Sequence, residues 1–273
     1  MVSQEQRRRQ LAREKFLRQQ QRRTSARRKA RMRNSVIASV LGVIVIGSVA
    51  LYTTGVLKNN DDKANASSET TPSASATSKA PDPCEKAAAG SVKKMSWKKE
   101  PAMTIDTSAK YTMTLSTTCG DIGVALKTSA APHTVNSFNF LASKGYFDHS
   151  KCHRLTTNGI YVLQCGDPTG TGSGGPGYTI PDENLKDKSL KGGVYPAGTV
   201  AMANTGQKHT GGSQFFLVYQ GSQLPASYTP FGTVDAAGLK ILKKIAAAGE
   251  STGQGDGAPN ATVVINKATV TKS

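Results

Sequence analysis

Residues 152–167 read Cys-His-Arg-Leu-Thr-Thr-Asn-Gly-Ile-Tyr-Val-Leu-Gln-Cys-Gly-Asp, a stretch with few Gly or Pro breaks. β-Branched or aromatic residues lie near both ends, and Thr157, Asn158 and Gly159 form a turn signal between them, which predicts two short antiparallel strands. After residue 33 the chain contains 21 lysines and one arginine, and that arginine, Arg154, lies in this predicted hairpin. A guanidinium offers five N–H donors in a fixed plane, so its placement indicates either a functional group or a structural ion pair. Arg154 alone supports both interpretations equally.

The positive charge of the chain is concentrated at its N-terminus. The formal net charge is +17, and residues 1–33 carry 13 basic and two acidic residues. We expect this segment to be a basic cytoplasmic tail that contacts anionic lipid headgroups. RNA binding is the alternative, and it is disfavoured because no aromatic residues are interleaved with the basic ones and no RNA-binding signature is present.

Residues 34–57 form an uncharged, mostly apolar segment of 24 positions, long enough to cross a hydrocarbon core of about 30 Å. A cleaved signal peptide is the competing interpretation, but its apolar region is shorter and follows a shorter basic lead. The segment therefore predicts a single transmembrane helix. The positive-inside rule then places the N-terminus in the cytoplasm and the rest of the chain outside the cell membrane.

The four cysteines all follow this predicted anchor, where disulfides can persist. Cys152 and Cys165 lie near the two ends of the hairpin and could face each other, which would leave Cys84 and Cys119 as a second pair. Two other connectivities and free thiols remain open. A metal site is not expected, because no Cys-x-x-Cys or paired histidines accompany them.

The remaining chain divides into a linker and one globular domain. Residues 58–104 are rich in Ser, Thr, Ala, Lys and Pro, which predicts an extended tether. Residues 105–273 predict many short strands, a helix that begins at Pro132 and ends before Gly145, and a second helix over residues 236–248. This pattern favours a mainly β fold in which a closed antiparallel barrel is capped by two helices.

Several kinds of chemistry are disfavoured by context. Gly170-x-Gly172-x-x-Gly175 matches a dinucleotide-binding pattern as letters, but the following Pro176 and Pro181 cannot open the required helix. Adjacent Cys152 and His153 point to opposite faces of a strand, so they cannot act as nucleophile and base. No Gly-x-Ser-x-Gly elbow surrounds Ser213. No cofactor is expected.

Four ordered blocks remain: His153-Arg154, Gln164-Cys-Gly-Asp167, Met202-Ala-Asn204 and Gly212-Ser-Gln-Phe-Phe216. In residues, order and spacing they resemble the signature blocks of the cyclophilin family of peptidyl-prolyl cis/trans isomerases, and the resemblance covers residues 105–271. Within that family, the sequence resembles the membrane-anchored cyclophilins of Gram-positive actinobacteria. This resemblance implies an eight-stranded barrel that isomerises X-Pro bonds of exported or cell-envelope proteins.

The resemblance also implies roles for individual residues. Arg154 and Gln164 would be the catalytic pair. The implied substrate-binding residues are Tyr161, Val162, Met202, Ala203, Asn204, Gln214, Phe216, Leu224 and Tyr228. Gln223 stands where a tryptophan is common in eukaryotic members and Tyr228 where a histidine is usual, which implies weakened cyclosporin binding.

The chemistry of isomerisation fits this residue set. Rotation about an X-Pro bond must overcome amide resonance, with a barrier of about 18–20 kcal/mol. A fixed cation that donates to the proline nitrogen stabilises the twisted amide more than either planar form, and no nucleophile or metal is needed. The main alternative is a non-catalytic module that binds proline-containing peptides at the cell surface. Nucleic-acid association through the basic tail is a weaker alternative.

Overall fold

The computed structural model describes residues 81–272. The predicted cytoplasmic tail, the predicted transmembrane segment 34–57 and the first part of the predicted linker lie outside the described residues. Within residues 81–272, no helix combines the length and apolar character needed to cross a bilayer.

The described part of the chain is mainly β. Two helices are present, α1 at Pro132–Ser143 and α2 at Ala236–Ala247, and a 3₁₀ turn lies at Lys191–Gly193. The strands are β1 Tyr111–Thr117, β2 Gly120–Leu126, β3 Ser150–Lys151, β4 Arg154–Thr156, β5 Val162–Cys165, β6 Val194–Tyr195, β7 Thr199–Met202, β8 Phe215–Val218, β9 Ser222–Gln223, β10 Pro230–Val234, β11 Asp256–Gly257 and β12 Val264–Lys272.

Ten strands form one curled antiparallel sheet in the order β11-β4-β5-β8-β7-β10-β2-β1-β12-β3, and β6 pairs with β9. The prediction of a closed, eight-stranded barrel is therefore wrong in closure and in strand number. Its two edge strands are β11 and β3, and they do not pair with each other within residues 81–272. Cys152 N–H donates to the Val263 carbonyl (3.0 Å), whereas His153 N–H donates to the Gln164 carbonyl (3.1 Å). The chain therefore changes its hydrogen-bonding partner between β3 and β4.

Both predicted helices are confirmed, with local signals at their ends. Pro132 occupies the first turn of α1, and Gly145 follows its end with φ 67°, a left-handed conformation that glycine adopts without a steric penalty. The Asp235 carboxylate accepts from Gly238 N–H (2.6 Å) and caps α2. A side chain at Gly238 would meet Ile122 at 2.9 Å, so this glycine lets α2 approach β2 closely.

The main core lies inside the curled sheet and under α1. Phe138 of α1 is fully buried, and its ring lies 4.6–5.4 Å from the rings of Phe147, Phe215 and Phe231. Burying a side chain of this size contributes about 1.5–3 kcal/mol. This core holds the strands at fixed positions, and their outer faces carry the candidate site.

Two disulfides are present, Cys84–Cys119 and Cys152–Cys165, which is the one of the three open connectivities in which the hairpin cysteines face each other. The first fastens residues assigned to the linker onto the sheet. Beyond it, Trp97 N–H donates to the Pro176 carbonyl (2.8 Å), and the Trp97 ring lies 5.1 Å from that of Phe140. Residues 84–104 therefore follow the surface of the domain.

Candidate active site

A row of side chains crosses the outer face of the sheet. Strand register places Arg154 opposite Gln164, Gln164 opposite Phe216, and Phe216 opposite Ala201. Directly paired residues of antiparallel strands point to the same face. The row therefore brings a cation, an amide and an aromatic ring together on neighbouring strands.

Arg154 is fixed by two partners. Its Nε and Nη2 donate to the two carboxylate oxygens of Asp256 at 2.7 and 2.8 Å, and its Nη1 donates to Gln164 Oε1 at 3.2 Å. The bidentate hydrogen bond with Asp256 raises the pKa of Arg154 and lowers that of Asp256. The structural ion pair considered as an alternative thus exists. However, it is not buried, since the Arg154 and Asp256 side chains are 39% and 56% exposed.

The amide groups continue from Arg154 as a chain of hydrogen bonds. Gln164 Nε2 donates to Gln214 Oε1 (2.9 Å), and Gln214 Nε2 donates to the Gly174 carbonyl (2.9 Å). Each amide is oriented by its neighbour, so Gln164 presents its oxygen to the guanidinium. The chain ends at the glycine-rich loop.

An apolar cluster lies beside this polar row. We call it the outer cluster; it consists of Val162, Tyr195, Ala201, Phe216 and Val218, with Ile160, Leu190, Ala203, Leu224 and Tyr228 packed against it. The Tyr228 ring meets the Phe216 ring edge-on at 5.4 Å, and the Tyr195 hydroxyl donates to the Tyr228 carbonyl (2.8 Å). The cluster offers apolar surface next to a fixed cation.

A groove of about 1070 Å³ adjoins the same row. Among the predicted site residues, Gln164, Ala203, Asn204 and Gln214 line it. Asn204 is oriented by its Nδ2, which donates to the Ser227 carbonyl (2.8 Å). Ala203 both lines the groove and packs against the outer cluster, so the two surfaces are continuous.

Two predicted site residues lie on the other side of the sheet. Tyr161 packs against the main core, with its ring 5.9 Å from that of Tyr219, and Met202 is buried in that core. The roles of Tyr161 and Met202 in substrate binding stay predictions, and their contacts in this structure are with the main core. Residues separated by two positions along a strand share a face, so Gln164 shares its face with Val162 and Ile160.

Sequence reasoning missed Asp256 and Ile160. Strand alternation places every second residue before Gln164 on the same face, and this rule would have identified Ile160. Nothing near Arg154 indicates Asp256, which lies 102 residues away along the chain.

The glycine-rich loop binds an internal anion. The backbone N–H groups of Thr169, Thr171, Gly172 and Ser173 donate to the Asp167 carboxylate at 2.7–3.1 Å. Burial would raise the pKa of Asp167, but hydrogen bonds from the loop outweigh it and lower the pKa to about 2. The dinucleotide-like spacing is thus explained by a loop wrapped around its own carboxylate.

Sequence comparisons with known proteins agree on one family. Residues 112–270 match the model of the family "Cyclophilin type peptidyl-prolyl cis-trans isomerase/CLD". The chain is 49% identical over 165 residues to "Probable peptidyl-prolyl cis-trans isomerase B" of Mycobacterium leprae, covering 58% of this chain and 56% of that protein. It is 42% identical over 117 residues to "Peptidyl-prolyl cis-trans isomerase B" of Bacillus subtilis, covering 42% of this chain and 76% of that protein. A crystal structure of a cyclophilin-type isomerase from Cryptosporidium parvum aligns with a TM-score of 0.49 at 26% identity, covering 60% of this chain and 99% of that one. The matched region spans about half the length of the mycobacterial relatives.

Proposed function

The chain belongs to the cyclophilin-type peptidyl-prolyl cis-trans isomerase family, and on that premise we propose that it catalyses cis/trans isomerisation of X-Pro peptide bonds. The observation that carries this proposal is the fixed Arg154 guanidinium beside the outer cluster. An X-Pro proline ring would pack on Phe216 and Leu224, and its amide would lie next to Arg154.

The hydrogen-bond pattern of Arg154 suits this role. A guanidinium has five N–H groups, and Asp256 with Gln164 accepts from three of them, which leaves two for a substrate. As the C–N bond twists, the proline nitrogen regains its lone pair and becomes an acceptor. A donor that is already in place costs no reorganisation and stabilises the twisted amide selectively.

The test measures isomerisation of a short X-Pro peptide by NMR exchange on the full chain. We expect Arg154→Ala to reduce kcat/KM by about 100-fold, the scale of losing one preorganised donor. Lys151→Ala is the matched control, because it removes an exposed cation three residues away without touching the row. Equal rates for wild type and Arg154→Ala would overturn the role of Arg154. Peptide binding by the wild type without rate enhancement would instead identify a proline-peptide binding module.

We further propose that the domain acts outside the cell membrane, on exported or cell-envelope proteins, as a membrane-anchored enzyme of the actinobacterial kind. The uncharged segment 34–57 and the basic tail before it support this topology, and the two disulfides fit an oxidising compartment. Similarity to mycobacterial relatives supports the lineage. External protease that removes the domain from intact spheroplasts would support the orientation, and protection of the domain would contradict it.

The same premise leads us to propose weak cyclosporin binding. Gln223 is exposed, and its Nε2 donates to the Gly192 carbonyl (2.8 Å), so it offers no flat aromatic surface at the position of the tryptophan. Inhibition of the peptide assay by cyclosporin would measure this, and tight inhibition would contradict it.

A further inference from the structure

One wall of the groove beside Gln164 comes from a segment that precedes the first strand. Lys98, Lys99 and Glu100 line it together with Gln164 and Gln214. These three residues precede the first strand and belong to the segment that composition assigned to a linker. Part of that segment is therefore part of the candidate substrate surface.

This wall is held at both ends, by the glycine-rich loop and by α1. Trp97 donates its backbone N–H to the Pro176 carbonyl and packs edge-on against Phe140. Glu100 accepts from the His133 ring at the start of α1. A side chain at Gly177 would come within 2.7 Å of the Trp97 carbonyl, so the glycine-rich loop and this wall are in close contact. The wall is a fixed feature of the groove.

The charges on the groove are unbalanced. Glu100 is its only lining carboxylate among the described residues, and that group is already bonded to His133. Lys98 and Lys99 are exposed and form no ion pair within residues 81–272. The other lining side chains are neutral, so two unpaired ammonium groups give the groove a positive potential that favours anionic groups.

We propose that Lys98 and Lys99 make this chain selective for proline peptides that carry an acidic side chain within a few residues of the proline. The inference rests on the proposed function and specifies its substrate class. Because Ala203 borders both surfaces, a peptide whose proline packs on the outer cluster can continue into the groove. An extended chain advances about 3.3–3.6 Å per residue, so a neighbouring side chain reaches the lysines within a few positions.

The experiment uses a peptide series with one X-Pro bond and a single Glu, Gln or Lys placed one to four residues from the proline on either side. The full chain is compared with the double variant Lys98→Glu/Lys99→Glu. The matched control is Lys240→Glu/Lys244→Glu, which reverses two exposed lysines on α2 away from the groove. NMR exchange gives kcat/KM for each peptide at about 20 mM and about 500 mM salt, where screening lengths differ several-fold.

We expect the wild type and the control variant to prefer Glu over Gln peptides by about three- to tenfold at low salt, which is the scale of one or two exposed charge pairs. The preference should shrink at high salt and reverse in Lys98→Glu/Lys99→Glu, whereas the control variant should keep both the wild-type preference and the wild-type rate on the Gln peptides. An unchanged Glu preference in that variant, or none in the wild type at low salt, would overturn the proposal. If no peptide is isomerised, the proposed function fails. Calorimetric binding of the same peptides then decides the charge preference independently.

Discussion

Asp256→Asn tests whether a carboxylate that is distant in sequence positions the Arg154 guanidinium, for which we propose a catalytic role. In the native site, Asp256 holds Arg154 through two parallel hydrogen bonds of 2.7 and 2.8 Å. Asparagine has nearly the same shape but retains only one acceptor oxygen. The guanidinium would keep its bond to Gln164 and lose half of the restraint that Asp256 provides. We therefore treat Asp256 as a positioning residue.

The size of the effect follows from the exposure of the pair. With the two side chains 39% and 56% exposed, solvent screening limits the ion pair to about 0–1 kcal/mol of folding free energy. Full release of an arginine side chain frees about 2 kcal/mol of rotamer entropy. Losing about half of that restraint raises the activation free energy by about 1 kcal/mol, which lowers kcat about fivefold. KM should stay constant, because the planar ground state does not depend on the donor.

The measurement is NMR exchange of an X-Pro peptide at several peptide concentrations, combined with urea unfolding of each protein. Asp121→Asn is the control, since Asp121 is an exposed carboxylate on β2. Asp256→Ala should be slower than Asp256→Asn. A higher kcat in Asp256→Asn would refute the reasoning, because it would mean that the carboxylate weakens the positive charge of Arg154 more than it positions it. A higher KM with an unchanged kcat would also refute it, because Asp256 would then act on substrate binding.

Three further predictions concern stability. Asp167→Asn should lower the unfolding free energy by about 1–3 kcal/mol in urea melts, since an amide N–H₂ would face backbone donors. In the wild type the contribution of the Asp167 carboxylate is present above pH 3.8 and is lost as the pH falls towards about 2. A variant as stable as the wild type at neutral pH would contradict this prediction. Replacing Cys152 and Cys165 by serine opens a loop with a sequence separation of 13. In the chain-entropy model this should lower the free energy of unfolding by about 3 kcal/mol, measured from the urea midpoint. An unchanged midpoint would disprove this prediction. The hydrogen bond that the His133 ring donates to Glu100 raises the pKa of His133 above 6.5. The resulting stabilisation is full below pH 6.5 and is lost as the pH rises through the raised pKa. His133→Gln should remove this pH dependence of the unfolding free energy, and an identical pH profile in the variant would exclude it.

Local patterns were sufficient for much of the fold and part of the site. Pro132 and Gly145 mark the ends of α1, and the turn around Asn158 places Arg154 and Gln164 on paired strands. The signature blocks then identified the polar row. These features depend on residues a few positions apart, and short-range sterics and hydrogen bonding act over that distance.

Local patterns did not decide the faces of the strands or the closure of the sheet. Tyr161 packs against the main core, whereas Val162 and Ile160 belong to the outer cluster, and a one-residue change of register would exchange these faces. The barrel was expected to close, whereas the edge strands β11 and β3 do not pair with each other within residues 81–272.

The sequence by itself determined the helices, the hairpin that pairs Arg154 with Gln164, and the family. Only the tertiary structure decided that Asp256 holds the guanidinium and that residues 98–100 form a wall of the groove. The physical reason is distance along the chain. Periodicity and turn chemistry report contacts between near neighbours, whereas contacts between segments far apart in sequence arise only when the core packs and brings them together.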